Sequence, residues 1–341
     1  MSGSNESGAA DPRGYTLQVA TGYMAAASLY AAAKLRIADL LAHGPQPVAE
    51  LAQKSGGNSD ALFRTLRALA SIAVFQETSP GVFANTPASE VLLEHGKGSV
   101  RDAVLWLANG LHLRVYADYL HSVKTSGTAM EHVTGTRAFE YFEKNKEEGD
   151  VFNLGMTNFS ALFSGPVLDA YDFGGLGTLS DIAGGHGLFL AAILEKHPEL
   201  RGILFEMPYL QEAAKKNVES LGLSARCQVV SGDFFKAVPP ADSYVMKSII
   251  HDWDDGRASA ILQNCANAMR GKGKVILVEL VITPGNNPDF GKWIDIEMLA
   301  LAGGRERTEA EFAALFRSAG LRLARVVRTK CPYCVLEAEK A

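Results

Sequence analysis

Residues 179–187, Leu-Ser-Asp-Ile-Ala-Gly-Gly-His-Gly, have the types and spacing to hold a nucleotide-like ligand. They read as a strand that breaks into a glycine turn and then a helix, Leu188 to Lys196. Such a turn lets backbone N–H groups approach a ligand and aims a helix N-terminus at it. NAD and FAD sites share this logic, so the residues that follow matter more. Glu206 ends the next apolar run, Gly202 to Phe205, 25 positions after Asp181. Near that spacing a carboxylate accepts both hydroxyls of a ribose. Gly232-Asp-Phe-Phe235 closes a third apolar run, and Met246 to Trp253 closes a fourth. Four such segments would line the carboxyl edge of one parallel sheet and form a nucleoside pocket.

The elements that must hold these residues are legible in the pattern. From Thr178 onward apolar runs alternate with helical periods, the signature of a doubly wound α/β sheet. Strands are expected at 178–183, 201–205, 226–230, 242–246, 274–280, 322–328 and 333–338. Gly174, Gly175 and Gly177 set this part, 174–341, apart from a helical layer at 101–173 that is rich in large apolar side chains. Within 15–100, Leu29, Ala33, Ile37 and Leu40–Leu41 recur at helical spacing until Pro45 and Pro47. Val48 to Gln53 is a short helix. Asn58 or Ser59 caps the next, with Leu62, Phe63, Leu66, Leu69 and Ile72 on one side. Val74–Glu77 and Val82–Ala84 then form two short strands around Ser79-Pro80-Gly81. Helix, helix and small β-wing outline a winged helix. Residues 1–14, small and polar, are expected to be a disordered tail.

Composition narrows the function classes. The chain of 341 residues carries a net charge of −5, and residues 1–110 hold eight Lys/Arg against nine Asp/Glu. The recognition helix of a DNA-binding winged helix would offer only Arg64 and Arg67, opposed by Asp60, whereas phosphate contacts need a basic face. The motif therefore reads as a dimerisation device, with no nucleic-acid partner. Tyr15 to Ala33 lacks charge but contains Thr16, Gln18, Thr21, Gly22 and Ser28. It reads as a helix buried between subunits and not as a membrane span. Cys227, Cys265, Cys331 and Cys334 are few and irregularly spaced, as in a reducing cytoplasm. Cys331-Pro-Tyr-Cys334 matches a glutaredoxin tetrapeptide, but it enters a terminal strand where no helix dipole lowers a thiol pKa, so it reads as structural.

These motifs together resemble the plant caffeate- and isoflavone-type O-methyltransferases and their bacterial and fungal relatives, including polyketide and hydroxyindole methyltransferases. The resemblance covers nearly the whole chain. It runs through Asp181–Gly187, Phe205-Glu-Met-Pro208, Gly232–Phe235, Lys247–Trp253, Val278-Glu279 and Gly303-Gly-Arg-Glu-Arg-Thr308. It implies a Rossmann-like doubly wound methyltransferase sheet, an N-terminal winged-helix dimerisation domain and a homodimer. It also implies S-adenosylmethionine as cofactor. Asp181, Ala183, Gly184 and Gly185 would form the turn for its methionine end, Glu206 would take the ribose, and Asp233 and Phe234 the adenine. Lys247 and Ser248 match positions facing its sulfur end or the adenine region. Ala183 stands where the family has the first glycine of the turn, which a methyl group tolerates at negative φ. Glu206 replaces the usual aspartate with the same acceptor chemistry.

Methyl transfer from a sulfonium needs a close, collinear acceptor oxygen and removal of its proton. A phenol has a pKa near 10, and histidine suits the base role. His251, beyond the fourth strand, is the expected base, and Glu279 and Glu306 match the two acidic partners that the resemblance implies. Asp252 either orients that loop or caps the helix near Asp254–Asp255. His186 flanks the cofactor, and the remaining histidines read as structural. No metal is expected. Trp106, Phe142, Met156, Phe159, Phe163, Asp295 and Met298 are candidates to line an apolar acceptor pocket, and each reads equally well as ordinary core. The expected reaction is methylation of a hydroxyl on a small aromatic metabolite. The alternatives are N- or C-methylation of an aromatic metabolite, a relative diverged to decarboxylation or hydroxylation that keeps the cofactor, and a ligand-sensing DNA binder.

Overall fold

The computed structural model describes residues 11–96 and 98–341. Two compact units divide between Arg114 and Val115. The first holds α1 (Pro12–Ala20), α2 (Gly22–Lys34), α3 (Ile37–Leu40), β1 (Gln46–Pro47), α4 (Val48–Ser55), α5 (Ser59–Ser71), β2 (Phe75–Ser79), β3 (Val82–Asn85), α6 (Pro87–Glu90) and α7 (Arg101–Leu107), with α8 (Gly110–Ala117) at the division. Residues 1–10 of the expected tail lie outside the described residues. Residues 12–14, also expected in the tail, instead open α1, where Asp11 accepts from the Arg13 and Gly14 N–H groups.

The uncharged segment is two helices where one was expected. Thr21 interrupts it, its hydroxyl donating back to the Leu17 and Gln18 carbonyls at 3.0 and 3.1 Å, and Gly22 starts α2. A second break falls at Arg36, which takes a left-handed φ of +56° while its guanidinium is drawn to Asp39 and Glu94. Asn58 caps α5 by accepting from Ala61 N–H at 3.0 Å. Leu62, Leu66 and Leu69 are buried with Leu51, Phe75 and Phe83. Ile72, expected on the same side, follows the last turn of α5 and is 55% exposed. Strands pair in the order β1-β3-β2, completing the wing.

The second unit carries α9 (Tyr119–Thr125), α10 (Ala129–Thr134), α11 (Ala138–Lys144), α12 (Lys146–Ala170), β4 (Thr178–Ile182), α13 (Leu188–Lys196), β5 (Arg201–Glu206), α14 (Gln211–Ser220), β6 (Cys227–Ser231), β7 (Ser243–Lys247), α15 (Asp255–Ala268), β8 (Val275–Leu280), α16 (Phe290–Glu297), α17 (Glu309–Ser318), β9 (Leu321–Arg328) and β10 (Tyr333–Lys340). Its sheet runs β6-β5-β4-β7-β8-β10-β9. The first five strands are parallel and β10 is antiparallel to both neighbours. Strand order reverses between β4 and β7, the place where open α/β sheets bind ligands beyond their carboxyl ends. Both faces of the sheet are covered by apolar clusters, which is why β8 reads as the continuous run Val-Ile-Leu-Val with every residue buried. Among the described residues no helix is long and apolar enough to cross a membrane.

Candidate active site

Beyond β4 the chain turns on Ala183, whose φ is +56°. The negative φ expected for this alanine is therefore wrong. Its N–H still bonds the Phe205 carbonyl at 2.8 Å as an extension of the ladder, so the reversal must begin on Ala183 itself, at the cost of a left-handed conformation that a Cβ disfavours. Gly184 follows in a position where a Cβ would overlap the Asp181 carboxylate and come 2.5 Å from Leu204 Cδ1. Gly185 N–H donates to Glu206 Oε2 and Met207 N–H to Oε1, each at 2.7 Å. Burial raises the Glu206 pKa and these two bonds oppose it. A carboxylate has about four acceptor positions, so each oxygen keeps one.

Asp181, wholly buried, has an oxygen with no hydrogen-bond partner among the described residues. Burial pushes its pKa up to about 7, with Lys247 pulling down and Glu206 pushing up. Lys247, at the end of β7, is lowered by burial against the pull of Asp181 and Glu279. Ser248 also takes φ +56°, and its hydroxyl donates to Tyr333 Oη at 3.0 Å. Asp233 accepts from Phe235 N–H at 2.9 Å. The Phe234 ring sits edge-on to Phe235 and Trp253.

After β7 a single 3₁₀ turn, Ile250–Asp252, presents His251. Its Nδ1 is 2.6 Å from Glu306 Oε1 and 3.9 Å from Glu279 Oε2, and its Nε2 is 3.6 Å from Asp252. Glu279 Oε1 accepts from Ile249 and Ile250 N–H at 3.0 and 2.8 Å, tying the turn to β8. The second oxygens of Glu279 and Glu306 are buried, with no hydrogen-bond partner among the described residues. Burial alone would lower the His251 pKa, but Glu306, Glu279 and Asp252 together raise it to about 10. The imidazole therefore carries a proton at neutral pH. Burial raises Glu279 against the pull of His251, and it raises Asp252 to about 6. The cap of α15 is Asp254, not Asp252.

Two residues that hold this cluster were not singled out by sequence. Arg307 is 1% exposed. Its guanidinium donates to the Asp255 carboxylate (3.0 and 2.8 Å) and to the carbonyls of Trp253 (2.8 Å), Ile250 and Arg305 (both 3.2 Å). It thus joins the two segments that carry His251 and Glu306. Arg305 N–H adds a 2.8 Å bond to the His251 carbonyl. Gly304 permits the approach, since a Cβ there would overlap that carbonyl oxygen and reach Trp253 N at 2.5 Å. Tyr333 is the second, inside the Cys-Pro-Tyr-Cys stretch. The only signal for either was a bulky polar residue inside an otherwise recognisable motif.

The pocket candidates disperse. Phe163 lies parallel to Phe159 and 5.3 Å from the Tyr333 ring. Phe142 stacks on Phe152 at 4.8 Å. Asp295, from α16, accepts the Glu306 N–H at 2.9 Å and so supports that loop. Met156 is half-buried on α12. Met298 is buried where α16 passes into five residues of π-helical winding, Met298–Ala302. Trp106 belongs to the first unit, buried edge-on to His112. His186 bonds Thr157 Oγ1 at 3.1 Å.

A family profile for the O-methyltransferase domain matches residues 116–322, and one for the O-methyltransferase dimerisation domain matches residues 17–95. The chain is an O-methyltransferase of this family. It is 43% identical over 339 residues to the phenazine O-methyltransferase PhzM of Lysobacter antibioticus, covering 99% of each chain. The crystal structure of LaPhzM superposes with a TM-score of 0.92 at 43% identity, over 97% of this chain and 100% of that one. The neocarzinostatin-biosynthesis O-methyltransferase NcsB1, solved with S-adenosylmethionine and 2-hydroxy-5-methyl naphthoic acid, gives 0.80 at 31% identity over 92% and 95%. The O-methyltransferase described here uses S-adenosylmethionine.

Proposed function

We propose that this O-methyltransferase methylates a hydroxyl of a small aromatic metabolite with His251 as general base and no catalytic metal, and that it works as a homodimer. The observation that carries the reading is the 2.6 Å contact between His251 and Glu306, backed by Glu279, at the same sheet edge as the glycine turn. The aromatic acceptor follows relatives named for phenazine and solved with a naphthoic acid.

The residues at the turn suit the cofactor. Glu206 keeps one acceptor position on each oxygen for two ribose hydroxyls. Asp233 and Phe234 offer an acceptor and a ring face to the adenine, and the backbone from Ala183 to Gly185 takes the amino-acid end. Lys247 and Ser248 close the pocket floor at β7, with the unpartnered Asp181 oxygen behind. When bound, S-adenosylmethionine supplies a methyl group on a sulfonium leaving group. The protein's own work is to position the acceptor, worth roughly 7–11 kcal/mol, and to hold its proton. In its neutral form, a fraction that grows with pH, His251 receives that proton at Nε2 while Nδ1–H stays bonded to Glu306, and Glu279 balances the charge. The carboxylates around His251 raise its pKa toward that of a phenol, near 10, and so favour the transfer. Met156, Phe159 and Phe163, which share α12, offer the apolar side of the acceptor pocket, and Asp295 braces Glu306.

His251→Ala tests the base. Turnover should fall about 10²–10⁴-fold while the rise in Tm with S-adenosylmethionine persists, and both profiles should climb toward pH 10, the parent with its imidazole base form and the variant with free phenolate. Parallel profiles at near-equal rates would remove the base role. Glu206→Ala and Asp233→Ala should weaken the Tm rise. The homodimer is supported by α1 and α2, which expose Tyr15, Leu17, Tyr23 and Met24 over half or more of their surface. Light scattering at micromolar concentration should give a dimer, and a monodisperse monomer would refute it.

A further inference from the structure

The α9–α10 hairpin carries three metal-ligating side chains that methyl transfer leaves unused. Asp118 precedes α9, His121 lies in its first turn and His132 lies in α10. Asp118 Oδ2 is 2.6 Å from His132 Nδ1. The imidazoles of His121 and His132 stack with centroids 4.0 Å apart and planes 9° from parallel. One ligand atom from each of the three residues lies within 4.8 Å of the other two. Asp118 satisfies only one of the rings, and among the described residues nothing hydrogen-bonds the His121 imidazole. The turn between the helices is built to allow the approach. Ser126 is left-handed at φ +58°, and a Cβ at Gly127 would come 3.2 Å from His121 Nε2.

We propose that Asp118, His121 and His132 form a binding site for a divalent transition-metal ion of the zinc class, with a fourth position open to water. Two imidazoles and one carboxylate suit zinc, copper or nickel better than magnesium or calcium. Tetrahedral zinc, with bonds of about 2.0–2.2 Å, sets its ligand atoms roughly 3.3 Å apart. The Asp118–His132 pair has to open and His121 has to move in. Rotation of the His132 side chain, 57% exposed, supplies most of that adjustment. The proton shared by Asp118 and His132 leaves to solvent as the ion takes its place. The ion cross-links α9 to α10, and α10 packs on the π-helical turn 298–302 that leads into the Glu306 loop, so the site braces the support of that loop.

Calorimetric titration of the full-length protein with Zn²⁺ tests this, with His121→Ala, His132→Ala and Asp118→Asn as variants. His251→Ala and Cys331→Ser report binding at the other zinc-competent groups. The parent should bind zinc saturably, and the three hairpin variants should each bind it at least about tenfold more weakly. The two control variants should bind as the parent does. Co²⁺ should give a visible absorption band that the same three variants lose. Absence of binding at millimolar zinc would overturn the proposal, leaving an ion pair beside a stacked ring. Binding unchanged in the hairpin variants, or lost in either control, would overturn it as well.

Discussion

Glu306→Gln interrogates the charge arrangement at His251 with almost no change in size. Burial alone would lower the imidazole pKa, and Glu306, Glu279 and Asp252 raise it to about 10. Glu306 is nearest, at 2.6 Å, against 3.9 and 3.6 Å for the others. An opposite charge at such range is worth roughly 1–3 pK units, so the substitution should bring His251 down to roughly 7–9. That is about 1.4–4 kcal/mol of lost imidazolium stabilisation. The sign is fixed by the direction of the shift. Below about 10 the parent imidazole is protonated, and its base form grows tenfold with each pH unit. Parent turnover should therefore climb through the neutral range and level near pH 10, and the variant should level about 1–3 units earlier. Single-turnover methyl transfer with one saturating acceptor, from about pH 6 to 10.5, reads both midpoints. The acceptor's own ionisation moves the two profiles equally. NMR titration of the His251 Cε1 proton gives the same quantity without turnover. Midpoints that agree to within about half a unit in both measurements would refute the reasoning.

Ala183→Gly should relieve a left-handed alanine costing about 1–2 kcal/mol and return about 0.4–1 kcal/mol as unfolded-state entropy. A net gain of about 0–1.6 kcal/mol should appear in urea denaturation, and a lowered midpoint would contradict it. Gly304→Ala forces a Cβ into the backbone of His251–Trp253 and should cost about 1–3 kcal/mol. It should also lower kcat while sparing the Tm rise with S-adenosylmethionine, so an unaltered kcat would count against it. Asp181, raised from 3.8 to about 7 by burial, holds in the folded state a proton that the unfolded chain has lost between those values. Folding stability on its account is full at low pH and declines as pH rises through that window. Asp181→Asn should therefore gain on the parent from pH 4 to pH 8, by at most about 4 kcal/mol, in paired denaturation curves. A gap that does not widen with pH would refute this.

Local pattern sufficed for the sheet because a strand buried on both faces must be an apolar run closed by glycine or a polar turn. Thr178–Ile182, Arg201–Glu206 and Val275–Leu280 each fall within a residue or so of the boundaries expected from sequence. The same logic placed Asn58 as a cap. Interruptions set by distant partners escaped it. The break at Arg36 depends on Glu94, far along the chain, and the one at Thr21 on a hydroxyl bonding its own helix. The positive φ of Ala183 follows from the ladder bond to Phe205, which no window around 183 contains. At the site, His251 was legible because strand ends converge on one edge, whereas Glu279 and Glu306 were legible only through the motifs shared with the O-methyltransferases. The clamp of Arg307 was not, since a buried arginine and a solvated one look alike in sequence. Asp295 shows the same limit from the other side, expected near an acceptor and found holding the Glu306 backbone.

The π-helical winding at Met298–Ala302, closed by the Gly303 N–H bond to the Met298 carbonyl at 2.8 Å, has a consequence for how this loop can vary. A π turn holds one residue more than the α ladder around it. Deleting a residue between 298 and 302 would let α winding resume with every backbone bond intact. The extra residue lies within one turn, so the helix would leave in nearly the same phase and Glu306 would keep its aim at the imidazole. A deletion in the α-helical stretch Phe290–Glu297 would instead rotate everything beyond it by about 100°. The aim of the acidic partner is thus written as a phase, counted in residues along a helix, and this turn is a place where a residue can be lost without losing it.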